Sequence, residues 1–235
     1  MAIYTIGHST LSEADFIKLV EPLDIIMDVR SHPGSKWPQF RKPYLEQWLP
    51  SVGKKYVWES RLGGWDARHL PLAEKFAALQ VDIPVYARGK FPKQRIALGS
   101  KEPTPNECLQ ESLPGIRPSW TNQGLYDYSW FMSLDEFRIG IQELIKRSQE
   151  TNIAIMCAEC QWWRCHRSMI SDYISFTGNE SIHITPRFRQ KNLVKFVDGN
   201  KMINHSQVIG DRLSRYDDRI LQIWRSDADK WLNPR

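Results

Sequence analysis

NIAIMCAECQWWRCHRSMISDYISFTG, residues 152–178, reads as strand, loop and helix in immediate succession. Ile153 to Met156 is an unbroken apolar run of strand length. The loop after it is crowded with Cys157, Glu159, Cys160, Arg164, Cys165, His166 and Arg167. Cys165 and His166 open an amphipathic segment that ends at Gly178, a residue type that closes helices. In an open α/β sheet, the crevice past the carboxyl end of a strand is where ligands are held.

The same grammar recurs on both sides of this stretch. Residues 3–6 form a short apolar strand ending in Gly7-His8-Ser9-Thr10. Ser12 is placed to cap a helix whose Phe16, Leu19 and Val20 share a face, and Pro22 stops it. Residues 24–29 (DIIMDV) are nearly continuously apolar, as a strand buried on both faces is, and lead into Asp28, Arg30, Ser31 and His32. Pro43 suits the first turn of a helix through Trp48, and residues 55–58 suit a short strand. A helix is expected over 72–80 and a strand over 83–87, ending at Arg88. Residues 89–130, with five prolines and no sustained period, read as a surface insertion partly ordered by Trp120, Tyr126, Tyr128, Trp130 and Phe131. Ser133 to Glu136 has the spacing of a capping box before a helix carrying Phe137, Ile141, Leu144 and Ile145. Residues 181–185 form a further strand, Asp198-Gly199 the turn of a hairpin, and Val208, Leu213, Ile220, Leu221 and Trp224 a C-terminal helix.

Strands alternating with helices predict an α/β fold. It is three-layered, a mostly parallel sheet with helices on both faces, plus the long Pro/Gly-rich insertion and a C-terminal hairpin and helix. The expected organisation is one α/β domain over 1–210 and a helical extension over 211–235. The 235 residues are 41% hydrophobic and 25% charged, an ordinary globular balance, and no apolar run is long enough for a membrane span. MAIYTIGHST lacks the marks of a signal peptide, so a cytoplasmic location and no membrane partner are expected.

In a parallel sheet the strand ends share one edge. His8, Asp28, Arg30, Arg88, Cys157 and Glu159 therefore converge on one crevice. Three of the four cysteines fall within residues 157–165. Such a cluster in a cytosolic chain points to catalysis, redox chemistry or metal rather than to a disulfide scaffold. A helix N-terminus and neighbouring Arg and His lower a thiol's pKa, which makes Cys157 or Cys165 a nucleophile candidate. Glu159 is the acid/base candidate and His166 the proton carrier. Arg30 and Arg167 would hold a phosphate or carboxylate. The plain alternative is that Cys157 and Cys165 are small buried hydrophobes. A redox pair of Cys157 with Cys160 or Cys165 stays open. So does zinc, although structural zinc ligands come as two separated knuckles, and adjacent Cys165 and His166 strain to reach one tetrahedral ion. No metal and no cofactor are assigned: a Cys-x5-Arg phosphate loop, a GxGxxG and a P-loop are all absent.

The net charge of +5 is uneven. Arg88, Lys90, Lys93 and Arg95 lie in an acid-free run over 88–101, and a second over 187–195 adds Arg187, Arg189, Lys191 and Lys195. These are candidate nucleic-acid contacts. Trp162 and Trp163 are candidates to stack a base. His183 reads as a satisfied core or edge residue. The expected partner is a phosphate-bearing small molecule or nucleic acid. The readings in order are a cysteine-dependent hydrolase or transferase, a non-catalytic nucleic-acid-binding module, and a thiol redox sensor or zinc-binding protein.

IYTIGHST, DVRSHPGSKWPQF, RLGG at 61–64, YSWFM at 128–132, MCAECQWWRCHRSMISDYI, HI at 183–184 and His205 together resemble the Domain of Unknown Function 488 family, from residue 1 to about 210. The resemblance implies a compact α/β domain of unassigned activity. It places weight on Cys157, Glu159, Cys165, His166 and Arg167, with His8, Asp28, Arg30 and Ser35 from the front half. Cys160 is outside that pattern, which weakens zinc. Trp130 stands where members often carry an acid, and the insertion at about 89–119 is longer than usual.

Overall fold

Alternate residues of β1 (Ala2–Gly7) enter opposite cores, Ile3 one and Ile6 the other. The computed structural model describes residues 2–64, 123–191, 194–216 and 218–232. The expected helix over 72–80, the strand over 83–87 and Arg88, Lys90, Lys93 and Arg95 lie outside the described residues.

Ser12 caps α1 (Glu13–Leu19), its Oγ accepting from the Asp15 N–H at 3.1 Å. β2 (Ile25–Asp28) is buried at every position. α2 (Lys42–Ser51) begins with Pro43 in its first turn, and β3 (Lys55–Trp58) follows. α3 (Gln123–Phe131) replaces the end of the expected insertion. Beyond Pro118 no proline interrupts the chain here, and Tyr128 and Phe131, one helical turn apart, both pack on Phe137. This turn also overrides the expected capping box. Ser133 Oγ donates to the Trp130 carbonyl at 2.6 Å, closing α3, and α4 (Asp135–Glu150) starts after Leu134 without a side-chain cap.

β4 (Ile153–Cys157) lies at the centre, buried throughout. α5 (His166–Phe176) follows it. β5 (Glu180–Lys191) and β6 (Val194–Asn204) pair antiparallel along their length, so the hairpin is larger than expected. Asp198 and Gly199 lie inside β6 rather than at the turn. Between the pairs Pro186↔Asn200 and Phe188↔Val197 they oppose the single residue Arg187. Gly199, at φ +86°, makes this a bulge in which glycine avoids the Cβ penalty. α6 (Ile209–Leu213) and α7 (Asp218–Leu232) end the chain.

The strand order is β3-β2-β4-β1-β5-β6, with every pairing parallel except β5 with β6. α1 and α2 cover one face through Phe16, Leu19, Leu45 and Leu49. α3, α4, α5 and α7 cover the other. Ile220, Leu221 and Trp224 of α7 belong to the core that α4 and α5 build. Burying each such side chain stabilises the fold by about 1.5–3 kcal/mol. No helix among the described residues is long and apolar enough to cross a membrane.

α5 departs from the expected amphipathic pattern, because its polar face is buried as well. Arg167, Ser168, Ser171 and Asp172 turn into a polar layer beneath β5 and α6. Asp172 accepts from His205 Nε2 at 2.7 Å, Arg212 Nε at 2.5 Å and Nη2 at 2.8 Å, and the Tyr216 hydroxyl at 2.7 Å. Because the carboxylate only accepts, His205 Nε2 carries a hydrogen and its Nδ1 accepts from His183 Nε2 at 2.7 Å. His183 Nδ1 then accepts from the Thr5 hydroxyl at 2.7 Å. Burial, first of all, holds both histidines below their usual pKa and neutral. His183 is thus the satisfied core residue expected. Trp162 stacks on it at 3.9 Å, which occupies the face proposed for a base.

Candidate active site

β1, β2 and β4 deliver His8, Arg30 and Cys157 to the same sheet edge, as their parallel register requires. The His8 N–H donates to the Cys157 carbonyl and the Ser9 N–H to that of Ala158, both at 2.9 Å, so the pairing continues past the strand ends. Past this edge opens a cavity of about 700 Å³, lined among others by Arg30, Cys157, Glu159, Arg164, Cys165 and His166.

Its floor is a pair of thiols. Cys157 ends β4 and Cys165 caps α5, and their sulfurs lie 3.2 Å apart with 6% and 4% of each residue exposed. That separation suits two sulfurs sharing one hydrogen. Sharing with Cys165 is the main cause that pushes the Cys157 thiol up, with burial adding to it. Burial alone pushes Cys165 up as well. The hydrogen bond from Cys157 and the Arg167 charge outweigh burial and bring Cys165 down to about 7. In the neutral pair the Cys165 S–H points at the Cys157 sulfur. Cys165 is the one that ionises first, and Cys157 then keeps the shared hydrogen and donates it to the thiolate.

His166 stands beside them, Nδ1 at 3.5 Å from the Cys165 sulfur. Its Nε2 is 3.0 Å from the Val29 carbonyl. A carbonyl only accepts, so Nε2 carries the hydrogen and Nδ1 turns a lone pair toward the thiols. Tyr128, whose hydroxyl donates to the Leu62 carbonyl at 2.9 Å, packs edge-on against the imidazole at 5.2 Å. Gly64 closes the other side: a Cβ there would lie 2.8 Å from the ring's Cγ and Nδ1. Gly64→Ala is therefore expected to displace the imidazole. It should slow alkylation of Cys165 at pH 7 roughly tenfold, the equivalent of about 1.4 kcal/mol of hydrogen bonding. An unchanged rate by mass-resolved iodoacetamide labelling would contradict this role.

The front-half residues divide. Arg30 lines the cavity, but Asp28 already pairs it, Nε to Oδ1 at 2.8 Å and Nη2 to Oδ2 at 2.6 Å. Tyr56 donates to the same carboxylate at 2.8 Å. His8 Nε2 accepts from Arg30 Nη1 at 3.1 Å, and its ring stacks on Phe40 at 4.2 Å. Burial and then the Arg30 charge lower His8 to about 3. Asp28 and His8 thus aim Arg30 and are not among the cavity-lining residues. Ser35 Oγ accepts from the Trp37 N–H at 3.1 Å and is likewise not a lining residue. Arg167 is buried, donates to the Glu159 carbonyl at 2.6 Å and acts on Cys165 by its charge, so it is no direct anion clamp. Glu159 is exposed on the cavity wall.

The sequence pattern missed Tyr128, Gly64 and the Asp172–Arg212 layer, whereas Arg164, named with the loop's charges, does line the cavity. The RLGG and YSWFM motifs were the available signals for the first two. Nothing local marked Asp172, because its partners lie 33 to 44 positions away.

Cys157, Cys165 and His166 offer donor atoms within 4.8 Å of one another. Two thiolates on one tetrahedral zinc, with Zn–S near 2.3 Å, sit about 3.8 Å apart. The observed 3.2 Å is closer than that and matches a thiol–thiolate pair better.

No curated protein and no solved structure matches the chain. A family model does, over residues 19–76 and 98–174, including β2, β4, both site thiols and most of α5. That covers more than half of the sequence, so the chain belongs to the family described as domain of unknown function DUF488.

Proposed function

We propose that the protein is a cysteine-dependent hydrolase or transferase acting on a phosphate-bearing substrate, a nucleotide or a nucleic-acid end. The observation that carries the reading is the Cys165 sulfur set between the Cys157 sulfur and His166 Nδ1 at the floor of an open cavity. His166 Nδ1 takes the thiol proton. The Cys165 thiolate attacks the substrate's electrophilic centre and forms a bond to sulfur, while the leaving group departs with the proton from His166. Water, or a second acceptor, then releases the product. The Cys157 S–H steadies the thiolate before attack. Arg30 and Arg164 at the cavity wall suit an anionic group. Glu159, exposed on the cavity wall, serves as a second acid or base.

Alkylation tests it. Cys165 should be the fast-reacting cysteine, with a rate that rises to a plateau around a midpoint of about 7. Millimolar inorganic phosphate should slow it. Cys157→Ala removes the S–H donor, a hydrogen bond to charge worth about 1.5–3 kcal/mol, and should raise the midpoint by about one pH unit or more. A Cys165 that labels no faster than Cys160 would end the proposal.

A further inference from the structure

We infer that Cys165 and Cys157 also form a two-thiol redox couple that reduces a small hydroperoxide entering the same cavity. The inference rests on the reading of Cys165 as a reactive thiolate, but it makes a separate claim about Cys157.

Geometry is the first support. A disulfide requires sulfurs about 2.05 Å apart. Cys157 and Cys165 stand at 3.2 Å, so roughly 1 Å of approach between the sulfurs closes the bond. Cys165 lies at the helix cap and Cys157 at the strand end, with only residues 158–164 between them. Access is the second support. Both thiols are almost fully covered, yet both line the cavity. A small oxidant that enters the cavity therefore meets both sulfurs.

The chemistry closes. The Cys165 thiolate attacks one oxygen of ROOH; an S–O bond forms and the O–O bond breaks. The departing alkoxide takes the proton held by His166 and leaves as ROH. Cys165 is now a sulfenic acid, and the charge that kept Cys157 protonated is gone. The Cys157 sulfur attacks that of Cys165; the S–S bond forms, the S–O bond breaks, and hydroxide leaves as water with the Cys157 proton. Two thiols and ROOH give a disulfide, ROH and water, a two-electron oxidation of sulfur. A dithiol reductant from solution restores both thiols by exchange.

Cys160 is the internal comparison. It lies in the same loop, but the sulfur that meets Cys157 is that of Cys165.

The experiment treats the reduced full chain with equimolar hydrogen peroxide and maps the products by mass. A Cys157–Cys165 disulfide is expected, lighter than the reduced chain by two hydrogens, and Cys160→Ser should leave it intact. Cys157→Ser should stop at the sulfenic acid and capture at least ten times more dimedone on Cys165 than the native chain does. With dithiothreitol, peroxide consumption should fall to the uncatalysed rate in Cys165→Ser. The inference is overturned if Cys165 proceeds to the sulfinic acid with Cys157 still free, or if the disulfide uses Cys160. Iodoacetamide labelling of the same preparation separates the two claims. Fast labelling without a disulfide removes the redox couple and leaves the nucleophile, whereas slow labelling removes both.

Discussion

Asp172→Ala is expected to destabilise the protein by about 3–5 kcal/mol, the cost of leaving a buried charge without its partner. The charge left behind is Arg212, itself buried and bonded to Asp172 through Nε and Nη2. His205 and Tyr216 lose their acceptor in the same step. The damage should reach the site, because Arg212 Nη2 donates to Ser168 Oγ, which donates to the Cys165 carbonyl at 2.9 Å. Urea unfolding measures the first effect and Cys165 alkylation the second. Replacing both partners, Asp172→Leu with Arg212→Met, should cost less than Asp172→Ala alone, since an apolar pair leaves no orphaned charge. A single-variant loss below about 1 kcal/mol would show that the layer carries little.

The same layer sets the acid limit. Burial alone would push the Asp172 carboxyl up, but the Arg212 charge and the His205 hydrogen bond outweigh it and hold it down at about 2. Its folded value lies below the unfolded value of about 3.9, so its contribution is complete above pH 4 and disappears as pH falls toward 2. At 1.36 kcal/mol per unit this is about 2–3 kcal/mol. His8, His183 and His205 act earlier. Their folded pKa values lie below the unfolded value, so the unfolded chain takes up more protons below about pH 6.5 and stability should already decline from there. Urea midpoints that stay flat from pH 7 to 5 would contradict this.

Gly7→Ala is the second large effect. A Cβ at Gly7 would stand 1.7 Å from the Glu159 carbonyl oxygen, 2.6 Å from its carbon and 2.8 Å from Arg167 Nη2. The two nearest atoms are Glu159 backbone beside the β1–β4 ladder, so moving the Arg167 side chain alone cannot relieve the clash. Overpacking of this kind costs about 3 kcal/mol or more when backbone must move. The shift also withdraws Arg167 from Cys165, so alkylation at pH 7 should fall about tenfold for each 1.4 kcal/mol of lost thiolate stabilisation. Gly34→Ala serves as the comparison. A Cβ there meets nothing within 4 Å, and stability should stay within about 0.5 kcal/mol. Equal urea midpoints for the two variants would refute the crowding argument.

Much of this was legible in the residues. Continuous apolar runs identified β2 and β4 as strands, β2 as one buried on both faces, and polar residues just past them pointed to one edge of a parallel sheet. Cys165-His166 was recognisable as the start of a helix. α3 was not legible, because a proline-rich stretch precedes it, Gly124 sits in its first turn, and its aromatic spacing acquires meaning only when Phe137 packs on it. The Asp198-Gly199 turn signal was real but local. The partner strand made it a bulge, since β5 runs on to Lys191 and keeps β6 paired beyond it.

By itself, then, the sequence determined the α/β alternation and the edge where chemistry collects, because strand and helix periods are local properties of the chain. Tertiary structure alone decided which groups at that edge meet. The Cys157 sulfur meets that of Cys165, Asp28 is bonded to Arg30, and Arg167 is buried. The physical reason is that hydrogen bonds and charge act over a few ångströms, and such distances between residues remote in sequence exist only once the sheet has brought its strand ends together.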